Sequence, residues 1–292
     1  MPKTMEMMNK DFAVFILTHG RPDNVITLNT LKKSGYTGKI YFIIDNEDKR
    51  SEEYYTAFGK ERVIMFDKKK YADECDEGNN FDERRTITMA RNACFDIAKQ
   101  VGVKYFIQLD DDYTAFDYRI PTISKDHCGE IKPIKNIDVV FYLLLNFYKK
   151  NQFLSIAMAQ GGDFIGGIIA NGKAYRFSKR KCMNTFICST ERPFKFIGAM
   201  NEDVNTYTTL GSRGNLFLTI PFISITQKAT QSQTGGITDM YKKYGTYCKA
   251  FTTVMMAPSS VFINMMAGRL HHKPKWNNIV PKIISEDLKK KV

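Results

Sequence analysis

Three consecutive aspartates follow a short apolar segment near the middle of the sequence. Residues 105–109 are mostly apolar and predict a buried strand, and Asp110, Asp111 and Asp112 come directly after it. Adjacent carboxylates repel one another unless a cation or several hydrogen-bond donors compensate them. On an extended backbone Asp110 and Asp112 point to one side and Asp111 to the other. This spacing is typical of an Mg²⁺ or Mn²⁺ site that carries a diphosphate. The alternative is a solvated acidic turn.

A second pair of acidic residues follows another apolar segment. Glu202 and Asp203 come just after residues 196–200, at the predicted start of a helix. A helix dipole stabilises a carboxylate anion at its amino end. Either residue is therefore a candidate general base, and an N-terminal helix cap is the competing interpretation.

Two of the four histidines and the single tryptophan lie close together near the end of the chain, within residues 268–278. One imidazole, from His271 or His272, together with two carboxylates would complete a sparse divalent-metal site. A pair of surface histidines with no ligand is the alternative.

The first part of the chain predicts the framework that would position these groups. Continuous apolar segments at residues 12–17, 39–44 and 63–66 predict strands of a parallel sheet, and a helix that ends at Lys33 follows the first of them. This alternation predicts a right-handed parallel α/β unit whose ligands bind beyond the carboxyl ends of the strands. Four candidate binding residues lie at such ends: Thr18, Arg21, Asp45 and Asp110.

Two arginines precede the aspartates on a predicted amphipathic helix at residues 82–100, after a predicted mobile loop at residues 68–81. Arg84 and Arg91 are seven positions apart and therefore share one face of this helix. Both could reach a phosphate near the strand ends. Ordinary surface arginines are the alternative.

The second half of the chain predicts further elements around a glycine-rich segment. The glycines of residues 161–167 would allow the backbone to approach a sugar or nucleotide closely. The alternative is that this segment forms only the corner of a hairpin. On the hydrophobic pattern we expect helices at residues 136–150 and 238–248 and strands at 153–158 and 216–225.

The composition fits one large domain or two small ones, with 292 residues of which 43% are hydrophobic. No segment reaches the ~18 apolar residues of a membrane span, and the N-terminus lacks the apolar core of a signal peptide. Residues 1–11 are polar, and we expect them to be flexible. The six cysteines form no C-x-x-C pair, which favours reduced thiols in a cytosolic protein.

The net charge of +12 is concentrated in the second part of the chain. Up to Tyr118 there are 18 Lys and Arg against 21 Asp and Glu, and from Arg119 onward there are 25 against 10. A cation-binding half joined to a strongly basic half predicts a polyanionic partner. Solubility alone is the alternative reason for this charge.

Basic and aromatic residues alternate between Lys173 and Lys195. Such a pattern suits a nucleic-acid surface, where charges contact phosphates and rings such as Tyr175 and Phe177 stack on an exposed base. A solvated sheet face is the competing interpretation. The candidate DNA contacts are Arg176, Lys179, Arg180, Lys181, Lys273, Lys275 and Trp276.

The order of these motifs resembles the TET-associated glycosyltransferases, which are nucleotide-sugar glycosyltransferases of the GT-A fold. They are encoded largely by bacteriophages and are implicated in adding sugars to hydroxymethylated pyrimidines of DNA. The resemblance rests on the segments 16–24, 42–48, 110–112, 201–203 and 271–278.

The resemblance implies a Rossmann-related α/β fold, with a mixed, mostly parallel sheet flanked by helices in a single large domain. This GT-A-like domain would cover residues 12–288, after a flexible segment at residues 1–11. Residues 12–118 would form the nucleotide-sugar-binding half and residues 119–288 the acceptor-binding half.

The resemblance also implies roles for the residues on the donor side. Thr18 and Arg21 would line the nucleotide pocket, and Asp45 would contact the uracil or the ribose. The resemblance also implies contacts to the diphosphate or the nucleotide from three further residues, Arg84, Arg91 and Asp110.

On the acceptor side, Asp203 would be the catalytic base, with Glu202 beside it. Asp112, together with Asp110, would hold the metal, and either His271 or His272 would add an imidazole. The family pattern needs only two aspartates. Asp111 would therefore be either redundant at the nucleotide or turned into the fold.

We therefore expect a transferase that depends on Mn²⁺ or Mg²⁺ and moves a sugar from a UDP-sugar to 5-hydroxymethylpyrimidine in double-stranded phage DNA, in the cytoplasm of an infected bacterial cell. The preferred candidate for the acceptor base is 5-hydroxymethylcytosine. The sugar would be glucose, an N-acetylhexosamine or a pentose such as arabinose.

Three other functions compete with this expectation. The first is a glycosyltransferase whose acceptor is a protein or a small molecule. The second is a DNA-binding phage protein that is not an enzyme. A sugar-nucleotide or cytidylyl transferase would need a glycine-rich basic loop after the first strand. The turn between Thr18 and Arg21 is too short for such a loop.

Overall fold

One central sheet of nine strands organises the computed structural model of this chain. The structure describes residues 10–75, 84–121, 130–164, 177–228, 245, 247–266, 268–286 and 289. In chain order the strands of the sheet are β1 (Phe12–Leu17), β2 (Lys39–Asp45), β3 (Val63–Phe66), β4 (Tyr105–Asp110), β5 (Tyr113–Ile120), β6 (Glu130–Pro133), β7 (Ser155–Ala159), β8 (Phe186–Ser189) and β9 (Phe217–Gln227).

The strand order across the sheet is β3-β2-β1-β4-β8-β7-β9-β5-β6. Strands β1 to β4 are parallel to one another, as are β7 and β9. Among the strands that the structure describes, only β8 and β5 run against the others, since each pairs antiparallel with both of its neighbours. The predicted mixed, mostly parallel sheet is thereby confirmed for the described part of the chain.

Helices flank this sheet, and a small separate hairpin follows it. The helices are α1 (Ile26–Lys33), α2 (Ser51–Phe58), α3 (Lys68–Asp73), α4 (Thr88–Gln100), α5 (Ile137–Lys150), α6 (Glu202–Ser212), α7 (Tyr247–Met256) and α8 (Trp276–Ile279). The hairpin consists of β10 (Val261–Met266) and β11 (Arg269–Pro274), which pair antiparallel.

The sheet separates two apolar layers, because side chains alternate across a strand. Phe12, Val14 and Ile16 of β1 pack in one layer with residues of α1, α2 and α5. The alternate residues of β1, which are Ala13, Phe15 and Leu17, pack in the other layer with residues of α4 and α6. Every residue of β1 is buried, as its unbroken apolar sequence predicts for a central parallel strand.

The boundary expected between the two functional halves, at residues 118 and 119, lies inside β5. Strand β5 pairs with β9 and β6 from the second half, while β1 to β4 come from the first. A single sheet therefore contains strands of both halves. That the first half binds the nucleotide-sugar and the second half binds the acceptor remains a prediction.

Several predicted boundaries differ from the structure. The loop expected at residues 68–81 begins with α3, because the Asp67 carboxylate accepts hydrogen bonds from the backbone N–H groups of Lys69 and Lys70 and caps this helix. The helix expected at 82–100 begins only at Thr88. Most of the helix expected at residues 238–248 lies outside the described residues, and within the described ones α7 begins at Tyr247.

Other expectations fall partly or wholly outside the described residues. This applies to residues 1–9 of the segment 1–11 that was expected to be flexible, to most of the glycine-rich segment and to Arg176 and Tyr175. The described part of the glycine-rich segment, Gly161–Phe164, is a 3₁₀ turn. All five cysteines in the described residues are free thiols. No helix of that part is long and apolar enough to cross a lipid bilayer.

Candidate active site

The three aspartates lie where β4 passes into β5. Asp110 is the last residue of β4, and Asp111 and Asp112 form the turn that leads to Tyr113. Parallel pairing aligns Asp110 with Leu17 of β1, so Thr18 follows at the same edge of the sheet. The predicted meeting of these segments at the carboxyl ends of the strands is therefore present in the structure.

The start of α1 fixes the backbone of this turn. The backbone N–H of Thr27 donates to the carbonyl of Asp111 at 3.1 Å, and the Thr27 hydroxyl donates to the carbonyl of Asp110 at 2.6 Å. The same hydroxyl accepts a bond from the backbone N–H of Tyr113 at 2.9 Å. Thr27 is completely buried. These bonds hold the aspartates in one conformation without using their carboxylates.

Asp111 is turned into the fold, which was one of the two positions expected for it. Its Oδ2 accepts a bond from the Thr18 hydroxyl at 2.7 Å and lies 3.5 Å from Nε of Arg21. The hydroxyl of Tyr54 lies 2.9 Å from the Thr18 hydroxyl and accepts from the backbone N–H of Arg21 at 2.8 Å. Burial raises the pKa of Asp111. Asp111 thus anchors the two predicted nucleotide-pocket residues, Thr18 and Arg21, beside the other aspartates.

Arg91 joins Asp110 to Glu202 in the interior. Its Nη2 donates to Oδ1 of Asp110 and its Nε donates to Oε1 of Glu202, each at 3.0 Å. The guanidinium also lies over the rings of Phe186 and Phe196, at 5.0 and 5.7 Å from their centroids. Its remaining nitrogen, Nη1, is buried and has no hydrogen-bond partner within the described residues. Arg91 is therefore an internal link between the two candidate carboxylate groups rather than a surface arginine.

Asp110 and Asp112 differ in their surroundings. Burial raises the pKa of Asp110 to about 7, although Arg91 opposes this effect. Burial and the neighbouring Asp111 raise the pKa of Asp112. A hydrogen bond from its own backbone N–H and the charges of Arg21 and Lys228 oppose this rise. Among the described residues no other side chain hydrogen-bonds or forms an ion pair with the Asp112 carboxylate, and its backbone carbonyl accepts from the backbone N–H of Lys228 at 3.3 Å. A partly buried, unpaired carboxylate beside another carboxylate favours a bound cation.

Metal-ligand geometry is only partly present. Within the part of the chain that the structure describes, no three His, Cys, Asp or Glu side chains come together as a metal-binding group. Mg²⁺ needs only one or two protein carboxylates when substrate phosphates and water complete its shell. The Asp112 carboxylate with Asp110 beside it fits that sparse type of site, and it does not fit a closed cage of protein ligands.

The two histidines of β11 have different environments. His272 is buried, with Nδ1 3.4 Å from the side-chain nitrogen of Asn201 and Nε2 3.3 Å from Nζ of Lys181. Burial and the charge of Lys181 lower the pKa of His272 to about 2. The Nδ1 atom of His271 lies 2.8 Å from the carbonyl oxygen of His272. Donation to that carbonyl leaves Nε2 of His271 as a lone-pair donor. Of the two predicted metal ligands, only His271 offers a ring nitrogen that does not face another nitrogen.

Glu202 and Asp203 begin α6, as expected. Asn201 precedes them with a left-handed backbone conformation (φ 55°), and both acidic side chains are buried. Oδ1 of Asp203 accepts from the backbone N–H of Val204 at 2.7 Å. Burial and the charge of Glu202 raise the pKa of Asp203 to about 6. A carboxylate of this pKa is ionised at neutral pH and basic enough to accept a proton.

Asp45 is engaged by two residues that the sequence analysis did not single out. Its Oδ2 lies 2.7 Å from Nδ1 of His19, and its Oδ1 lies 3.4 Å from Nζ of the buried Lys68. His19 follows β1 in the same turn as Thr18, and this position was the signal available in the sequence. Lys68 had none, because it was assigned to a mobile loop. Arg84 lies at the same edge, where Nε donates to Glu47 at 2.8 Å.

The predicted DNA contacts separate into buried and exposed residues. Arg180 is buried and donates to the carbonyl of Asp163 at 2.9 Å, and Lys181 lies against His272. The ring of Trp276 stacks on Tyr207 at 6.0 Å. Exposed members of the predicted set are Lys179, Lys273 and Lys275. Arg176 lies outside the described residues.

Comparison with protein families gives one match that covers most of the chain. The family model described as TET-Associated Glycosyltransferase matches residues 12–236. A comparison with curated protein sequences gives no significant match.

Similar solved structures include glucosyl-3-phosphoglycerate synthase from Mycobacterium tuberculosis in complex with Mg²⁺ and UDP, at 8% identity and a TM-score of 0.48 over 93% of this chain and 90% of that chain. Mannosyl-3-phosphoglycerate synthase from Rubrobacter xylanophilus has 6% identity and a TM-score of 0.48 over 93% and 86% of the two chains. S. aureus TarS (residues 1–349, in complex with UDP) has 11% identity and a TM-score of 0.42 over 84% and 65%.

Proposed function

This chain belongs to the TET-associated glycosyltransferase family, and we propose that it transfers a sugar from a UDP-sugar to the hydroxyl of a 5-hydroxymethylpyrimidine in DNA with the help of a divalent cation. The preferred acceptor base is 5-hydroxymethylcytosine. The sugar is glucose, an N-acetylhexosamine or a pentose such as arabinose.

The link from Asp110 through Arg91 to Glu202 is the observation that carries this proposal. Asp110 ends a strand of the parallel sheet, where ligands of such sheets bind, and Glu202 begins α6 beside Asp203. Two hydrogen bonds of 3.0 Å to one buried guanidinium keep these carboxylates at a fixed separation. A fixed separation suits a transferase, because the donor sugar and the acceptor hydroxyl must be held together in reactive geometry.

Thr18, Arg21 and Arg91 would bind the nucleotide part of the donor. Thr18 and Arg21 are already oriented by Asp111 and Tyr54. The unpaired Nη1 of Arg91 is a buried donor that a diphosphate oxygen would satisfy.

Asp112, with Asp110 beside it, would hold Mn²⁺ or Mg²⁺, and the bound cation would supply positive charge to the UDP leaving group. His271 would join them only when the donor binds, since the described part of the structure does not bring these three side chains together as a metal-binding group. Because no other side chain among the described residues hydrogen-bonds or forms an ion pair with the Asp112 carboxylate, it is the carboxylate best placed to bind this cation. Asp110 is shared with Arg91, whose charge already compensates it in the absence of ligand.

Asp203 would take the proton from the hydroxymethyl group of the acceptor. Its raised pKa of about 6 leaves it ionised at pH 7 to 8. Glu202, bound to Arg91, keeps a negative charge beside it and thereby increases its basicity.

The acceptor is inferred from the charge of the chain and from the family. The segment after Tyr118 carries 25 Lys and Arg against 10 Asp and Glu, which favours a polyanion such as double-stranded DNA.

Nucleoside mass spectrometry tests this proposal. The protein is incubated with Mn²⁺, a panel of UDP-sugars and duplex DNA that contains 5-hydroxymethylcytosine, and the DNA is then digested to nucleosides. We expect one UDP-sugar to add the mass of its glycosyl group to 5-hydroxymethyl-2′-deoxycytidine. The Asp112→Ala variant should lose this product while retaining DNA binding. Transfer to protein or to free nucleosides but not to DNA would refute the proposed acceptor.

A further inference from the structure

The hairpin of β10 and β11 exposes an aromatic ring beside two lysine ammonium groups. Nζ of Lys273 lies 5.8 Å and Nζ of Lys275 lies 5.5 Å from the centroid of the Phe262 ring. Phe262 and Lys273 are cross-strand partners, so they share one face of the hairpin. The ring is 36% exposed and is therefore accessible to a partner from solvent.

Helix α7, which packs against this hairpin, adds more exposed apolar surface. Tyr247, Phe251 and Met255 recur every fourth residue and are 57%, 45% and 64% exposed. Their common stripe is the outer face of the helix, because Ala250 and Thr253 are buried on the opposite side. An exposed apolar stripe of this kind next to the hairpin marks an interaction site.

The charge of this region selects the kind of partner. Between residues 247 and 275 there are four basic residues and no Asp or Glu. A second copy of the same surface would oppose like charges across a two-fold interface, which is unfavourable. A polyanion matches the charge, and exposed rings interleaved with lysines match the alternation of bases and phosphates along a nucleic-acid strand.

The hairpin also adjoins the candidate catalytic residues. Lys273 is next to His272 on β11, and the two side chains point to opposite faces of the strand. His272 points inward and lies 3.4 Å from the side-chain nitrogen of Asn201, which directly precedes Glu202 and Asp203. A partner on the outer face of the hairpin would therefore be separated from the candidate base by the thickness of one strand and one side chain.

We propose that this surface, on the assumption of the proposed function, binds the nucleic-acid acceptor beside the transfer site. Phosphates contact the basic side chains, and a base that is unpaired next to the target stacks on Phe262. The residues that define this hairpin surface are Phe262, Arg269, Lys273 and Lys275.

Fluorescence anisotropy of a labelled DNA that contains 5-hydroxymethylcytosine tests the surface directly. The first variant is Phe262→Ala, with Phe147→Ala as a control, because Phe147 is similarly exposed (42%) on the remote helix α5. The second is the double change Lys273→Glu and Lys275→Glu. Its control is Lys32→Glu and Lys33→Glu at the carboxyl end of α1, since the aspartates contact the opposite end of that helix.

We expect Phe262→Ala to weaken DNA binding about tenfold, as loss of one stacked base does. The double lysine variant should weaken DNA binding further. The slope of log K against log salt should become less steep by the amount expected for the loss of about two phosphate contacts. Both controls should bind as the unmodified protein does. Equal binding by all variants would overturn the inference. Binding to anionic phosphatidylglycerol vesicles that is lost in Phe262→Ala, with DNA binding unchanged, would also overturn it.

This test does not depend on the outcome for the proposed function, because anisotropy requires no UDP-sugar. If Phe262→Ala weakens DNA binding but no sugar reaches hydroxymethylated DNA, the proposed function fails and the hairpin surface stands. If sugar is transferred to DNA but the variants bind DNA like the unmodified protein, the hairpin surface fails and the proposed function stands.

Discussion

Nε of Arg91 donates to Oε1 of Glu202 across 111 residues of sequence, at 3.0 Å in the buried interior. Because Nη2 of the same guanidinium donates to Asp110, one side chain connects the end of β4 with the start of α6. We therefore regard Arg91 as the residue that sets the distance between the donor side and the acceptor side of the candidate site.

The change Arg91→Lys tests this link. Lysine keeps the charge but lacks the planar fork, so it cannot bond both carboxylates. We expect kcat/KM to fall more than tenfold and the free energy of unfolding to fall by about 1.5–3 kcal/mol. Arg213→Lys, at the exposed carboxyl end of α6, is the control and should leave both activity and melting temperature nearly unchanged. Full activity of Arg91→Lys would show that the link is dispensable.

The pH dependence of transfer should follow Asp203. Burial and Glu202 raise the pKa of this carboxyl to about 6, and a general base acts only when it is deprotonated. The rate should therefore rise as pH increases through about 6 and level off above pH 7. The Asp203→Asn variant should show no such rise in its residual rate. A rate that falls between pH 5 and pH 7 in the unmodified protein would contradict this assignment.

Asp203 should also reduce stability at neutral pH. Its folded-state pKa of about 6 lies above the ordinary value of 3.8, so the native state holds a proton that the unfolded chain releases. Stability contributed by this group is then present below about pH 4 and is lost as pH rises to about 6. We expect Asp203→Asn to be more stable than the unmodified protein at pH 8, by up to about 3 kcal/mol, and the difference to shrink at pH 4.5.

Thermal denaturation at the two pH values measures this effect. Asp73→Asn, at an exposed pair with Lys69, is the control and should show no comparable stabilisation at pH 8. An Asp203→Asn variant that is less stable than the unmodified protein at pH 8 would show that the charged carboxylate is well compensated in the native state.

The two histidines of β11 should respond differently to removal. His272→Ala removes a buried ring beside Asn201, so we expect the melting temperature to fall by several degrees. His271→Ala should leave the melting temperature unchanged and weaken the activation by Mn²⁺. The converse pattern would assign the metal to His272. Activity measured against Mn²⁺ concentration, together with thermal denaturation, distinguishes the two cases.

Continuous apolar segments were the strongest sequence signal for the fold. Strands β1 to β4 and helix α5 follow directly from them, and the carboxyl ends of the parallel strands predicted where Thr18, Asp45 and Asp110 lie. Strand β5 was missed because polar residues interrupt it as it follows the aspartates without a separate turn signal. Helix α3 could have been predicted, since Asp67 is an N-cap residue followed by helix-forming lysines.

Side-chain partners in the site depend on long-range packing, which the sequence pattern does not contain. The position of Arg91 on a helix near the strand ends could be predicted, but its two carboxylate partners could not, because they come together only in the folded chain. The bonds of Asp45 to His19 and Lys68 arise in the same way, from a turn and a helix that approach the end of β2.

Calorimetric titration of UDP in the presence and absence of Mn²⁺ tests the central claim most directly, which is that Asp112 and its neighbours bind a divalent cation for the donor diphosphate. We predict that Mn²⁺ strengthens UDP binding to the unmodified protein and to the control Asp96→Asn, an exposed carboxylate on α4. In Asp112→Asn this strengthening should disappear. Equal strengthening by Mn²⁺ in Asp112→Asn, or no UDP binding by the unmodified protein, would contradict the account.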